Sequence, residues 1–242
     1  NKTGKYLKYA IGEIVLVVIG ILIALSINTW NEMQKLKTEE IEILQNFKKS
    51  IKEDISGMDR AMAINKRVKK SMNLIIDYME QDLPYQDSLK YHFGNANVQW
   101  LIAINLSVFE ALKSKDLNLI SNDSLRQSII GLYSWSNGSF VTDQNRYRDL
   151  LEDGSKNIYN SRFNAFWQDN YEIWKLDNSF DKDFTPTELI SKMVPLDFEK
   201  LKKDYEYIYF LKSLRNRFNW YVENNAENML KILTINLNEI EK

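Results

Sequence analysis

From Ala10 to Ile27 the chain reads AIGEIVLVVIGILIALSI, apolar except for Glu13 and Ser26. At 1.5 Å per helical residue this run is about 27 Å long, and Tyr9 to Trp30 is about 31 Å, close to the thickness of a bilayer's hydrocarbon core. Tyr6 and Tyr9 before the run and Trp30 after it fall where interfacial aromatics sit. A buried helix of a soluble protein carries one polar face, and Ile14 to Leu25 carries none. A cleaved leader would share the basic Lys2, Lys5 and Lys8 and the Ala24-Leu25-Ser26 small-x-small site. Its apolar core, however, is usually roughly 7–15 residues, shorter than this one. The run is therefore read as a membrane-spanning helix over 9–29, with a short segment at 1–8 before it and one domain at 30–242 after it. The chain opens on Asn, so further residues are expected upstream.

Orientation follows from the flanking charges. Lys2, Lys5 and Lys8 precede the span, and Lys35 and Lys37 follow it closely. This bias favours a cytoplasmic N-terminus, and the absence of cysteine fits an extracytoplasmic domain without disulfides.

Beyond the span the spacing is helical almost throughout. Prolines occur only at Pro84, Pro186 and Pro195, so nothing interrupts a helix before Leu83. Ile41, Leu44, Ile51, Ile55, Met58, Met62, Met72, Ile76 and Met79 recur at helical steps, and an unbroken helix from Tyr9 to Asp82 would be about 110 Å long. Gly57 is the expected place for a bend. A second helical run is expected over Val98–Leu112. A third runs from an Asn122 N-cap to about Trp167, with Gly131, Gly138 and Gly154 inside it. Thr185-Pro186-Thr187-Glu188 reads as the start of a short helix, and a last long helix is expected from Asp197. The fold class is thus all-α: a membrane helix continuing into an antiparallel helical bundle.

Chemistry-bearing groups are sparse. The chain has one histidine, His92, in Lys90-Tyr91-His92-Phe93-Gly94, too few for a metal site or a nucleophile–His pair at any recognisable motif. There is no phosphate-binding glycine loop, and no cofactor is expected. Adjacent carboxylates (Glu39-Glu40, Glu53-Asp54, Glu152-Asp153) diverge by about 100° on a helix and read as solvated surface. The Lys66-Arg67-Val68-Lys69-Lys70 cluster reads as a solvated helix face. The Asn-x-Ser triplets at Asn105, Asn122 and Asn137 carry no role. A net charge of −1 with interspersed signs removes the electrostatic case for nucleic acid.

Glu13 stands apart, because an ionisable group within a membrane segment costs from about 2.5 kcal/mol upward at the helix centre. It shares a face with Gly20 and Ala24, beside the four-residue line Gly12, Leu16, Gly20, Ala24. Small residues admit a second helix closely, and a polar group there can bond across the contact. Gly12, Glu13, Gly20 and Ala24 are therefore the candidate membrane-helix contact. Tyr9, Asn28, Trp30 and Asn31 are the candidate interfacial set.

The run Tyr6 to Leu25, followed by Ile27-Asn28-Thr29-Trp30-Asn31-Glu32, resembles the start of a Bacteroidota family of uncharacterised single-pass membrane proteins, with the pattern YAIGEIVLVVIGILIALxINxWNE. Phe109 to Ser114 and Leu119 to Arg126 resemble a second block of that family. Ser26 stands where the family often has Gln. The resemblance implies an inner-membrane protein with a helical periplasmic domain and no established activity. Two functions are then in view. One is a non-catalytic accessory or scaffold protein that associates in the bilayer with itself or with another membrane subunit. The other is a ligand-binding or sensing bundle lined by Trp100, Trp135, Trp167, Trp174, Trp220, Arg215 and Arg217.

Overall fold

The computed structural model describes residues 2–165 and 192–241, with side chains from Gly12 onward. Helix α1 (Lys2–Glu80) is unbroken for 79 residues, about 118 Å, and passes through Gly57 without interruption. It ends ahead of Pro84 at Asp82, whose φ of 50° is the left-handed turn that closes many helices.

Partners met along α1 give the topology. Near its lower end Glu39 pairs with Lys115 at 3.5 Å, and Glu40 accepts from the Ser121 N–H at 2.6 Å. Further up, Asp54 meets Asn105, Asn65 meets Trp100 and Ser71 meets His92. The second arm, α2 (Leu89–Asn95) to α3 (Ser107–Lys115), therefore runs back down α1. The third arm climbs again: α4 (Asp123–Trp135), a π turn at Ser136–Phe140, then α5 (Val141–Asn157). A short α6 (Phe198–Leu201) leads into the fourth arm, α7 (Tyr205–Phe218), a π turn at Asn219–Asn224, and α8 (Asn225–Glu241). This arm descends, since Lys212 pairs with Glu80 at 2.5 Å, Lys69 with Glu223 at 2.6 Å and Lys48 with Glu241 at 3.1 Å. The result is an up-down-up-down bundle of four arms. The described residues contain no strand, only one bridge between Phe163 and Pro195.

The interior divides into two apolar clusters stacked along α1. The distal one gathers Met72, Ile75, Phe93, Tyr147, Tyr207 and Phe218. The proximal one, nearer the span, gathers Phe47, Ile51, Met58, Phe109, Tyr133 and Leu233.

Several sequence expectations are corrected. Val98–Leu106 is not helical; the helix begins only at Ser107. The third run leaves the α-helix at Asn157, short of Trp167. The last helix starts at Tyr205, because Asp197 caps only a short turn through the Lys200 N–H and Asp204 then caps α7 through that of Tyr207. Ile41 is 50% exposed, and Ile43 and Phe47 take the inward positions expected of it and Leu44. The helix expected at Thr185-Pro186-Thr187-Glu188 lies outside the described residues, as do Trp167 and Trp174. The Asn122 cap stands as expected, with its side chain accepting from the Leu125 N–H at 3.1 Å.

Candidate functional site: a bare span and a polar belt

Two regions carry chemistry that packing alone does not explain. The first is the lower part of α1. Every residue from Gly12 to Glu39 is exposed, including Leu16 at 71% and Ile27 at 61%, so the apolar stretch buries none of its residues against the described part of the molecule, and only Glu39 at its end reaches another element, through Lys115. It is long and apolar enough to cross a membrane. Gly12 and Gly20 have no neighbour within 4 Å of where a Cβ would stand. Ser26 Oγ turns back to the Leu22 carbonyl at 2.8 Å, and Asn28 Nδ2 donates to Glu32 Oε1 at 3.0 Å. Trp30 and Asn31 are exposed beside them. The side chain of Tyr9 lies outside those described.

Residues 18 apart lie on one line of an α-helix, five whole turns on. Glu13 projects through Asn31 onto Lys49, Gly20 through Thr38 onto Ser56, and Ala24 through Glu42 onto Arg60. All of these positions are exposed. Phe47, seven and a half turns from Gly20, is fully buried. Glu13, Gly20 and Ala24 thus continue onto the solvent side of α1, opposite the bundle, whereas Gly12 projects through Trp30 onto Lys48, which pairs with Glu241 at the bundle's flank.

The second region is a belt of polar side chains, Asn65 and Gln144 between the two apolar clusters and Asp54 within the proximal one, and local sequence patterns did not reveal it. Residues 99–105 run along the bundle there without helical hydrogen bonds, and distant side chains take up several of their backbone groups instead. Gln144, on α5, accepts from the Ile102 N–H at 2.8 Å and donates to its carbonyl at 3.0 Å. Asn65 does the same for Trp100 with longer contacts of 3.4 Å. Asp54 Oδ1 accepts from the Asn105 N–H at 3.1 Å.

Asp54 was read as solvated surface together with Glu53; Glu53 is exposed, but Asp54 is only 7% exposed. Its second oxygen, the Ser50 hydroxyl and the Tyr133 hydroxyl are all buried and close no hydrogen bond of ordinary geometry. Burial pushes the Asp54 carboxyl up to about 6, against the opposing pull of the Asn105 N–H, with Glu53 adding to the rise. Burial likewise drives the Tyr133 phenol well above its usual range, reinforced by the Asp54 charge. The Tyr133 ring stacks on Phe109 with centroids 4.8 Å apart.

The remaining sequence candidates scatter. His92 is half-buried with Nδ1 3.0 Å from Ser71 Oγ, and burial and Lys70 hold its pKa down. In the basic cluster Val68 is buried and Lys69 pairs with Glu223, while Lys66 and Lys70 are exposed. Trp135 packs on Phe140, and Trp220 is 64% exposed. Among the described residues no group of three or more His, Asp or Glu is arranged to hold a metal ion.

A family model matches residues 13–166, more than half of the chain. The chain belongs to the family of unknown function DUF6090. The DUF6090 match takes in the span from Glu13, the belt residues Asp54, Asn65 and Gln144, and the first three arms of the bundle. It ends ahead of the descending α7–α8 arm. No curated protein and no solved structure matches the chain.

Proposed function

We propose that this DUF6090 protein is a non-catalytic, membrane-anchored accessory or scaffold protein of the bacterial inner membrane, of the kind found in Bacteroidota. Its N-terminus is cytoplasmic and its bundle periplasmic. Its span associates with a second copy or with another membrane subunit through Gly12, Glu13, Gly20 and Ala24. The observation that supports this reading is the alignment of Glu13, Gly20 and Ala24 with the exposed side of α1. A helix docked on Gly20 and Ala24 can follow α1 out of the bilayer without meeting the other three arms. Close approach at glycine and alanine, with Glu13 bonding across the contact, is how membrane helices associate where no hydrophobic drive separates them from lipid.

The test is native mass determination of the full chain after mild-detergent extraction, with identification of co-purifying subunits. A fixed homo-oligomer or a stoichiometric partner is expected, and Glu13→Gln combined with Gly20→Leu should abolish it. Unchanged association in the double variant would refute the contact face. A monomer that carries a bound small molecule would replace the scaffold with a ligand-binding bundle.

A further inference from the structure

Residues 98–106 read VQWLIAINL, with β-branched and aromatic side chains and no proline, glycine or charge. Within this segment exposure alternates. Leu101, Ala103 and Asn105 are exposed, Ile102 is buried, and Trp100, Ile104 and Leu106 are half-buried. A period of two is that of an extended chain. Over Trp100–Ala103 the backbone alternates as well, with the N–H and C=O of Trp100 and Ile102 turned to Asn65 and Gln144. The pattern ends at Asn105, whose N–H goes to Asp54, and at Leu106, which is helical at φ −85° and ψ −7°. In an extended chain the same groups of Leu101 and Ala103 point to the opposite edge. There, among the described residues, Leu101 and Ala103 make no hydrogen bond. Folded proteins ordinarily blunt such an edge with lysine, proline or a covering element; here the edge residues are leucine, 50% exposed, and alanine.

We propose that the short outer edge at Leu101–Ala103, through the backbone groups of Leu101 and Ala103, accepts an extended segment of another polypeptide by strand addition. Four main-chain hydrogen bonds are on offer, and the exposed Leu101 side chain supplies an apolar contact for an alternate residue of the incoming strand. The amide clamps of Asn65 and Gln144 hold the receiving edge before the partner arrives, so little ordering is left to do on binding. A second copy of this chain is a poor occupant. Copies anchored by the same span present the segment in one direction along the membrane normal. Antiparallel pairing would require one copy to be inverted, and a two-fold axis along the normal places identical groups opposite each other. The proposal takes from the membrane reading only this common orientation, and it stands if the Gly20 face proves inert.

The test uses the full chain in lipid nanodiscs and a short capped peptide of alternating valine and threonine with lysine at each end. Its control carries N-methyl groups on alternate residues, which remove the donors of one edge. With the plain peptide at about 1 mM, amide exchange at Leu101 and Ala103 should slow at least about tenfold. The control should have no effect. Ala103→Pro, which deletes an N–H that bonds nothing, should abolish the protection without moving the melting temperature. Leu101→Lys, on an exposed side chain, should weaken it and serves if the proline variant fails to fold. Absence of protection, or equal protection by the N-methylated peptide, would overturn strand addition. Protection that grows with protein concentration in the absence of peptide would overturn the choice of another polypeptide and make a second copy the occupant.

Discussion

The two clusters of the bundle solve the same packing problem with different materials. The distal cluster is built on aromatic contacts, with Phe93 against Phe163, Phe198 and Tyr207 at centroid distances of 5.1, 6.4 and 6.5 Å. Its charges are paired: Arg162 bonds Asp204 at 2.8 Å and also Glu206, and the buried Lys202 bonds Asp82 at 2.7 Å and Glu199 at 3.1 Å. The proximal cluster instead admits a carboxylate. Asp54 lies inside without a cation among its contacts, held by one backbone N–H. Both clusters bury a phenol whose hydroxyl closes no hydrogen bond of ordinary geometry, Tyr147 in one and Tyr133 in the other, so what distinguishes them is that the buried Lys202 is paired with carboxylates while the buried Asp54 has no cation among its contacts. The distal half is built for stability, whereas the half nearer the span gives up stability to hold a non-helical segment in place.

The largest effect expected from breaking this contrast comes from Phe93→Ala. It removes the hub of the distal cluster and should cost about 3–5 kcal/mol. Thermal unfolding followed by calorimetry reads this loss. Because α1 runs through both clusters, a single transition is expected to shift; two separate transitions would mean that the halves unfold independently.

Asp54→Asn should act in the opposite direction in the proximal half. Asp54 has a folded pKa of about 6 against a reference of 3.8. The folded state therefore holds a proton that the unfolded chain releases within that window, and stability falls as pH rises through it. The difference, 6 − 3.8, is about 2 units, or on the order of 3 kcal/mol when fully developed. The Asn variant keeps the acceptor for the Asn105 N–H and removes the charge. It should be about 2–3 kcal/mol more stable than the parent at pH 8 and nearly equal to it at pH 3.5, as measured by denaturant titration at both values.

The smallest expected effect compares two helix-interior glycines. At Gly57 a Cβ meets nothing within 4 Å, so Gly57→Ala should stabilise by about 0.5–1 kcal/mol. At Gly154 the Cβ would stand 2.4 Å from Phe210 Cζ. Gly154→Ala should forfeit that gain or destabilise by about 1 kcal/mol as the ring is displaced. Paired melting curves of the two variants decide this.

What the sequence revealed and what it concealed separate by range. The unbroken α1, the all-helical class and the Asn122 cap follow from patterns only a few residues long. Val98–Leu112 misled because its apolar spacing suits a helix, yet the groups that draw its first half out of helical form, Asp54, Asn65 and Gln144, lie 35 to 51 residues away. Asp54 misled for the same reason. A carboxylate beside Glu53 in a polar stretch shows nothing of its burial until Tyr133 and the 98–106 segment close over it. The two π turns, at Ser136–Phe140 and Asn219–Asn224, have no signature either.

With the apolar stretch placed in a bilayer as proposed, the unbroken α1 would act as a boom. From Trp30 to Glu80 it reaches about 75 Å beyond the end of the span. Membrane helices tilt by about 20° on average, so an ordinary tilt of the foot swings the far tip sideways by about 25 Å. A local change in bilayer thickness, or a neighbour leaning on the foot, would therefore sweep the upper bundle across a wide circle without bending a single residue.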